Sequence, residues 1–375
     1  MIAAPAPIQR RATARLLRMD VHGTLVHSHR YDLVSFIHRN DVVIANDAAT
    51  LPASLRAIHE RTGEVIEVRL AGRRSLDPND VRHLNAVLFG AGNYRTRTEH
   101  RPLPPVVQVG DRLSIASITP VIESVLGHAR YVELRFEASS AAVWELLATH
   151  GSPIQYAHVS QPLKLWDVWT PLAASPVAFE APSAGFALDW SLLARLREKG
   201  ATFATLTHAA GISSTGDAEL DERLPFDEPY FIPSRTAAAI ERACACGARI
   251  IAIGTTVVRA LEHAASVHGR VMPGAGIATQ RITAQTRLRV VDALLSGTHE
   301  IGTSHYELLR AFVADEALSK LTSELDAQNY VTHEFGDSIL IETEQAREYV
   351  RMSGASRAAA VPELRKATSA DCVLC

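Results

Sequence analysis

Six short segments bring together residue types that could do chemistry. The first is GTTVVRALE (254–262), where an apolar run ends in Gly254-Thr255-Thr256 and a helix-type period follows. Gly254 lets a ligand approach the backbone, and free N–H groups at a helix start suit a carboxylate or a phosphate. Arg259, one turn further on, could clamp a carboxylate in bidentate fashion. The same text also fits an ordinary strand–turn–helix capped by threonines. The second is EAPSAG (180–185), a small-residue turn around Pro182, Ser183, Ala184 and Gly185 that leaves room for a ligand. The third is His208, at the end of a β-type run and before a loop rich in Gly, Ser and Thr. Ligands of open α/β sheets gather at such strand ends, although a lone His is more often structural. Asn46-Asp47 after the run 41–45, His299 with Thr303-Ser304, and Gly336-Asp337-Ser338 complete the set. For each of these a plain turn is the competing reading.

The elements that must position these residues are legible in part. The run 41–45 is continuously apolar, as a buried strand requires. Segment 189–199 reads as a helix with Trp190, Leu193 and Leu196 on one face, and Gly200 stops it. Ser234 can cap a helix reaching Cys246, with strand 249–253 and a further helix from Thr256 beyond. Strand–helix alternation of this kind predicts an α/β layer with mainly parallel strands. Residues 58–148 differ: short β-type runs are separated by Gly, Pro, Asn and Asp, the pattern of a small antiparallel barrel. The reading is therefore a larger mixed α/β domain, 1–57 with 149–345, an inserted small β-barrel domain at 58–148, and a C-terminal tail, 346–375. Residues 1–15 read as mobile, and the basic, Pro-rich stretch 93–106 as an exposed loop. No internal repeats are visible.

Composition narrows the function. The chain has 375 residues and a formal net charge of -3, so it is not a polycation that coats nucleic acid or membrane. Its 47% hydrophobic content supports a substantial core and excludes global disorder. Four cysteines are too few for a disulfide scaffold. Cys244 and Cys246 read as buried structural thiols, and Cys372-x-x-Cys375 as a tail without a metal partner set. No apolar stretch has the length of a signal peptide or membrane span, which points to the cytoplasm. Dinucleotide, P-loop, zinc-protease and esterase motifs are missing from the text.

In order along the chain, ARLL (14–17), DVVIANDAATLPASL (41–55), RTGEVIEVRL (61–70), EAPSAG, GTTVVRALE, VVDALL (290–295) and GDSILI (336–341) resemble one family. It is the S-adenosylmethionine:tRNA ribosyltransferase-isomerases of queuosine biosynthesis, and GTTVVRALE is the most specific match. The resemblance implies an α/β domain with an inserted antiparallel barrel. It implies transfer of the ribosyl part of S-adenosylmethionine to the aminomethyl group of a deazaguanine in tRNA, with release of adenine and methionine. S-adenosylmethionine is then a co-substrate, with no prosthetic group and no metal. It would lie against Pro182, Ser183, Ala184, Gly185, Gly254, Thr255, Thr256 and Arg259. Asn46, Glu228, His299 and Asp337 would contact substrate, and His208 and Asp47 are the candidate bases.

The departures from the family pattern are specific. EAPSAG stands against A-A-P-T-A-G. Ala187 replaces a His, and Ala48 and Ala49 replace the Thr and Arg of N-D-T-R. Ala210, Ile212 and Ser213 fall on Gly, Gly and Thr. H-x-M-H-x-E becomes RLPFDE (223–228), with Arg223 and Phe226 for both His. Losing polar side chains while keeping the backbone pattern favours a changed ligand. Three readings therefore stand: the family reaction on tRNA, a divergent enzyme using S-adenosylmethionine on a small-molecule or peptide acceptor, and a non-catalytic nucleoside-binding protein.

Overall fold

The computed structural model describes residues 1–11 and 13–345. The Cys372–Cys375 motif lies outside the described residues. A nine-stranded mixed sheet dominates. Its spatial order is Gly274–Ala278, Glu228–Ile232, Thr202–His208, Val42–Asn46, Ile250–Ile253, Ala293–Gly297, Ser338–Glu342, Arg15–Met19 and Leu25–His29. The four central strands run parallel, and antiparallel strands flank them. Side chains alternate between two buried faces, as strand period demands. Val42, Ile44, Ile250 and Ala252 face helices Ser234–Cys246, Thr255–His268 and Asp315–Ala327. Val43, Ala45, Ile251 and Ile253 face helix Trp190–Glu198 and the turn Arg30–Phe36. Because both faces are covered, these strands read as continuous apolar runs.

A second sheet, six-stranded and antiparallel, contains Ser54–His59, Glu64–Arg73, His83–Phe89, Leu113–Ser114, Val121–His128 and Tyr131–Arg135. It is curled. Its outermost strands approach one another where Ile122 N–H donates to Asp111 O (2.8 Å) and Gly110 N–H to Ile122 O (2.9 Å). Helix Ser140–His150 closes onto its apolar interior through Val143, Leu146 and Leu147. The mixed α/β architecture with a curled antiparallel sheet agrees with the sequence-based expectation.

Several local expectations are corrected. Residues 1–11 are tied down: Ile2–Ala3 pairs with Val331–Thr332, and the Met1 amine meets Asp326. A short strand there satisfies backbone groups that composition alone assigns to solvent. Trp190 is 72% exposed, and helix Trp190–Glu198 buries Leu192 and Leu196 instead. Asp189 caps that helix by accepting from Leu192 N–H. Ser234 is the first helical residue rather than the cap, which is Pro233. Cys246 is exposed and Cys244 half-buried. Within the 93–106 loop, Arg101 is buried and ion-paired to Glu67. No described helix is long and apolar enough to cross a membrane.

Candidate active site

The central parallel strands end together at Asn46, His208, Gly254 and Gly297, and a cleft opens against these ends. One wall is the turn Glu180–Ala184, and the opposite wall is the start of helix Thr255–His268. Gly254 has φ +97°, and a Cβ on it would meet Ala184 Cβ at 3.4 Å. Glycine thus permits both the strand-to-helix turn and the close approach of the two walls. No side chain among the described residues caps this helix. Its first amides and positive dipole end face the cleft beside Thr255 and Thr256, an arrangement that favours an anionic ligand group.

Arg259 lines the cleft but is not a free clamp. It is 3% exposed and pairs with Glu228, and it donates to the carbonyls of Phe226 (2.9 Å), Ala278 (2.9 Å) and Gln280 (3.2 Å). Glu228 also accepts from Gly211 N–H at 2.5 Å. Burial pushes the Glu228 carboxyl up, and Arg259 opposes that. This pair pins strand Glu228–Ile232 to helix Thr255–His268 where the sequence suggested a ligand contact.

The other expected residues separate into two groups. Pro182, Ser183, Ala184, Thr255, Thr256, Glu228 and His299 line the cleft with Gly254 and Arg259. Gly185, Asn46, Asp47, His208 and Asp337 do not. Gly185 is buried against Thr170. Asn46 clamps strand ends: its amide donates to His208 O (2.9 Å) and Thr256 Oγ1 (3.3 Å) and accepts from His208 N–H and Ala48 N–H. It orients the cleft without facing it. Asp47 accepts from Thr207 Oγ1 at 2.6 Å. His208 is fully buried behind Glu228, with Nε2 3.4 Å from Glu228 Oε2. Burial, and then the Arg259 charge, pull its imidazole well below the usual range, so it is neutral. Asp337 takes hydrogen bonds from Arg11, from Arg15 side chain and amide, and from Val331 N–H, and joins the N-terminal strands to the sheet.

The cleft also carries residues to which the sequence assigned no role in the site. His305 stacks on His299, centroids 4.5 Å apart, and His299 Nε2 lies 2.9 Å from Ser296 Oγ. Burial lowers both imidazoles, His299 strongly, and both residues line the wall. Glu180 and Ser213 line the far end. Burial and the Glu334 charge raise the Glu180 carboxyl to about 7, partly offset by hydrogen bonds from Ser213 and Tyr156. For His305 no spacing signal exists, since a fold brings it beside His299. For Glu180 the signal was its replacement of an alanine within the second motif.

The substituted positions repack coherently. Ala48 and Ala210 meet in one small apolar cluster with Val177, Ala178 and Ala209. Phe226 stacks on Tyr131 of the curled sheet (4.2 Å), and Arg223 donates to Leu126 O. Both residues anchor a loop rather than face the cleft. One group of acids and His among the described residues, His83, Glu123 and Glu133, has ligand atoms near enough for an ion. Arg74 already pairs with both glutamates there.

A family model described as queuosine biosynthesis protein matches residues 1–341. The chain belongs to that family. Among its relatives are two proteins named S-adenosylmethionine:tRNA ribosyltransferase-isomerase. The one from Nitrosospira multiformis is 30% identical over 91% of this chain and 95% of its own. The one from Sorangium cellulosum is 33% identical over the same shares of the two chains. A solved structure of an S-adenosylmethionine tRNA ribosyltransferase from Thermotoga maritima aligns with TM-score 0.49 and 20% identity, covering 91% of this chain and 96% of that one. Family membership accounts for the order of motifs from ARLL to GDSILI, and the cleft lies between two of them, EAPSAG and GTTVVRALE.

Proposed function

We propose that this member of the queuosine biosynthesis family is an S-adenosylmethionine-dependent transferase-isomerase that moves the ribosyl moiety to an amine acceptor. By family, that acceptor is the aminomethyl-deazaguanine of a tRNA. The observation that carries the reading is the uncapped helix start at Gly254–Thr256, opposed across the cleft by Pro182–Ala184. The helix end suits the carboxylate of the methionine part, and the small-residue wall leaves space for a nucleoside. The sulfonium acidifies the neighbouring C5′–H, so a neutral imidazole can take that proton and adenine can depart. His299 and His305 are the imidazoles at the wall. Asp47 and His208 act behind it as supports: Asp47 bonds to the Thr202–His208 strand, and His208 lies against Glu228.

A second acceptor class is favoured by one observation. Ala48, where the family pattern has a Thr, here lies in an apolar seam with Ala210, which replaces a Gly. That repacking supports an altered acceptor and leaves the nucleoside end intact. The test is product analysis with purified protein and S-adenosylmethionine, with and without acceptor tRNA. Adenine and methionine released with tRNA support the family reaction. Release only with another amine supports the second acceptor class, and no release with any acceptor overturns both.

A further inference from the structure

A carboxyl with no ion-pair partner among the described residues sits at one end of this cleft. Glu180 follows strand Ser175–Ala178, and its side chain lines the cleft beside Ser213. From behind, the Tyr156 hydroxyl donates to Glu180 Oε1 at 2.5 Å, and it lies 3.4 Å from Ser213 Oγ. The phenol fixes one oxygen and Ser213 adds hydrogen bonds from its hydroxyl and its backbone N–H, which leaves part of the carboxyl's acceptor capacity unused at the cleft wall. The charge of Glu334 reaches Glu180 from nearby. Two cations close by pair with other carboxylates. Arg69, over the Tyr156 ring at 5.7 Å, pairs through Nε with Glu67 at 2.7 Å and keeps its Nη1 without a hydrogen-bond partner, and His158 meets Glu334 at 3.0 Å. Among the described residues Glu180 has no ion-pair partner. A carboxyl that lines a cleft, is hydrogen-bonded from behind and has no counter-charge among the described residues is arranged to receive a positive group from a ligand.

We propose that Glu180, held by Tyr156 and Ser213, is the subsite for an alkylammonium group bound in this cleft. The proposal deepens the function given above and rests on it for the source of that group. Two sources share the chemistry: the α-ammonium of S-adenosylmethionine and the aminomethyl group of the acceptor. Glu180 replaces an alanine of the family motif, so the subsite is a property of this chain and of sequences that carry the same change.

The first arm of the test does not need S-adenosylmethionine. The full chain carrying 13C-carboxyl glutamate is titrated with n-butylammonium and, as a neutral control, n-butanol. One resonance, absent from Glu180→Gln and displaced in Tyr156→Phe, is expected to move with the ammonium and not with the alcohol. If it moves with neither, or equally with both, the subsite is overturned. Tyr156→Phe keeps the carboxyl and still identifies the resonance should Glu180→Gln fold poorly. The second arm separates the sources by calorimetry and kinetics. Glu180→Gln weakening S-adenosylmethionine at least tenfold, while an analogue lacking the α-amine binds unchanged, supports the subsite and assigns it to the α-ammonium. Unchanged S-adenosylmethionine affinity with a tenfold higher KM for the amine acceptor supports it and assigns it to the acceptor. If Glu180→Gln alters neither, the proposal is overturned. A wild-type chain that binds no S-adenosylmethionine, yet whose Glu180 answers butylammonium, removes the proposed function and supports the subsite.

Discussion

At the scale of single residues, the cleft separates groups that hold the site from groups that face the ligand. Arg259 and Glu228 belong to the first kind. Arg259→Met leaves a buried carboxylate unpaired and three carbonyls without their donor. The expected loss is about 3–5 kcal/mol in urea unfolding. Adding Glu228→Leu should recover part of it, and equal stability of single and double variants would contradict the structural role. His305 belongs to the second kind. His305→Asn should lower turnover by more than roughly tenfold, the low end of a general-base contribution, with melting temperature unchanged. Glu180 gives a pH signature. Its carboxyl titrates near the ordinary 4.5 in the unfolded chain and near 7 when folded. Between those values the folded chain holds a proton that the unfolded chain has released, so stability falls as pH rises from about 4.5 to about 7. Glu180→Gln should flatten that part of the profile while Glu228, raised in the same direction, stays in both proteins. Urea midpoints at pH 5 and pH 8 for the two chains check this. Parallel profiles would count against it.

At the scale of elements, the strand-to-helix turn at Gly254 decides the site. Gly254→Ala must adopt φ +97° with a β-carbon against Ala184. A cost of about 1–3 kcal/mol is expected, together with weaker binding of S-adenosylmethionine by calorimetry. Unchanged affinity would mean that the helix start does not touch ligand. This element was legible because an apolar run ending in Gly-Thr-Thr before a helical period has few alternative foldings. The run 41–45 was legible for the same reason, although the strand itself spans Val42–Asn46. Residues at strand ends were read less well. Asn46 and His208 have the chemistry of a site, and the fold spends it on binding strand ends to each other. A polar side chain at a strand terminus gives no sign in the sequence of whether it turns toward the ligand or toward a neighbouring backbone. Trp190 shows the corresponding limit for helices. Its spacing with Leu193 fits an apolar face, but the neighbouring turn Arg30–Phe36 is placed to cover Leu192 and Leu196.

At the scale of the whole molecule, the two ends of the parallel strands have different duties. At their starts Asp41, Arg249, Glu342 and Arg18 form a chain of buried and half-buried ion pairs. At their finishes the cleft opens. The N-terminal strands are fastened by a separate cluster around Asp337, which the sequence placed with the substrate contacts. Asp337→Ala leaves Arg11, Arg15 and the Val331 amide without their acceptor. A loss of about 3–5 kcal/mol is expected, with the affinity for S-adenosylmethionine unaltered in whatever fraction remains folded. A selective loss of affinity without loss of stability would return Asp337 to the site. The curled sheet was visible from the spacing of Gly, Pro, Asn and Asp, which are local signals. The contacts that tie it to the cleft, such as Ala71 beside Gly211, join distant parts of the chain and left no local trace.

The pairing of Val42–Asn46 with Thr202–His208 and Ile250–Ile253 has a consequence for biogenesis. As the chain leaves the ribosome, the curled sheet can form from neighbouring strands soon after Tyr131–Arg135 emerges. Val42–Asn46 must wait, apolar and unpaired, until both its partners are made. Sequence separation on that scale slows folding and leaves the waiting segment open to aggregation. A nascent chain stalled before Thr202 is therefore expected to hold a protease-resistant curled sheet and a Val42–Asn46 segment that needs a chaperone.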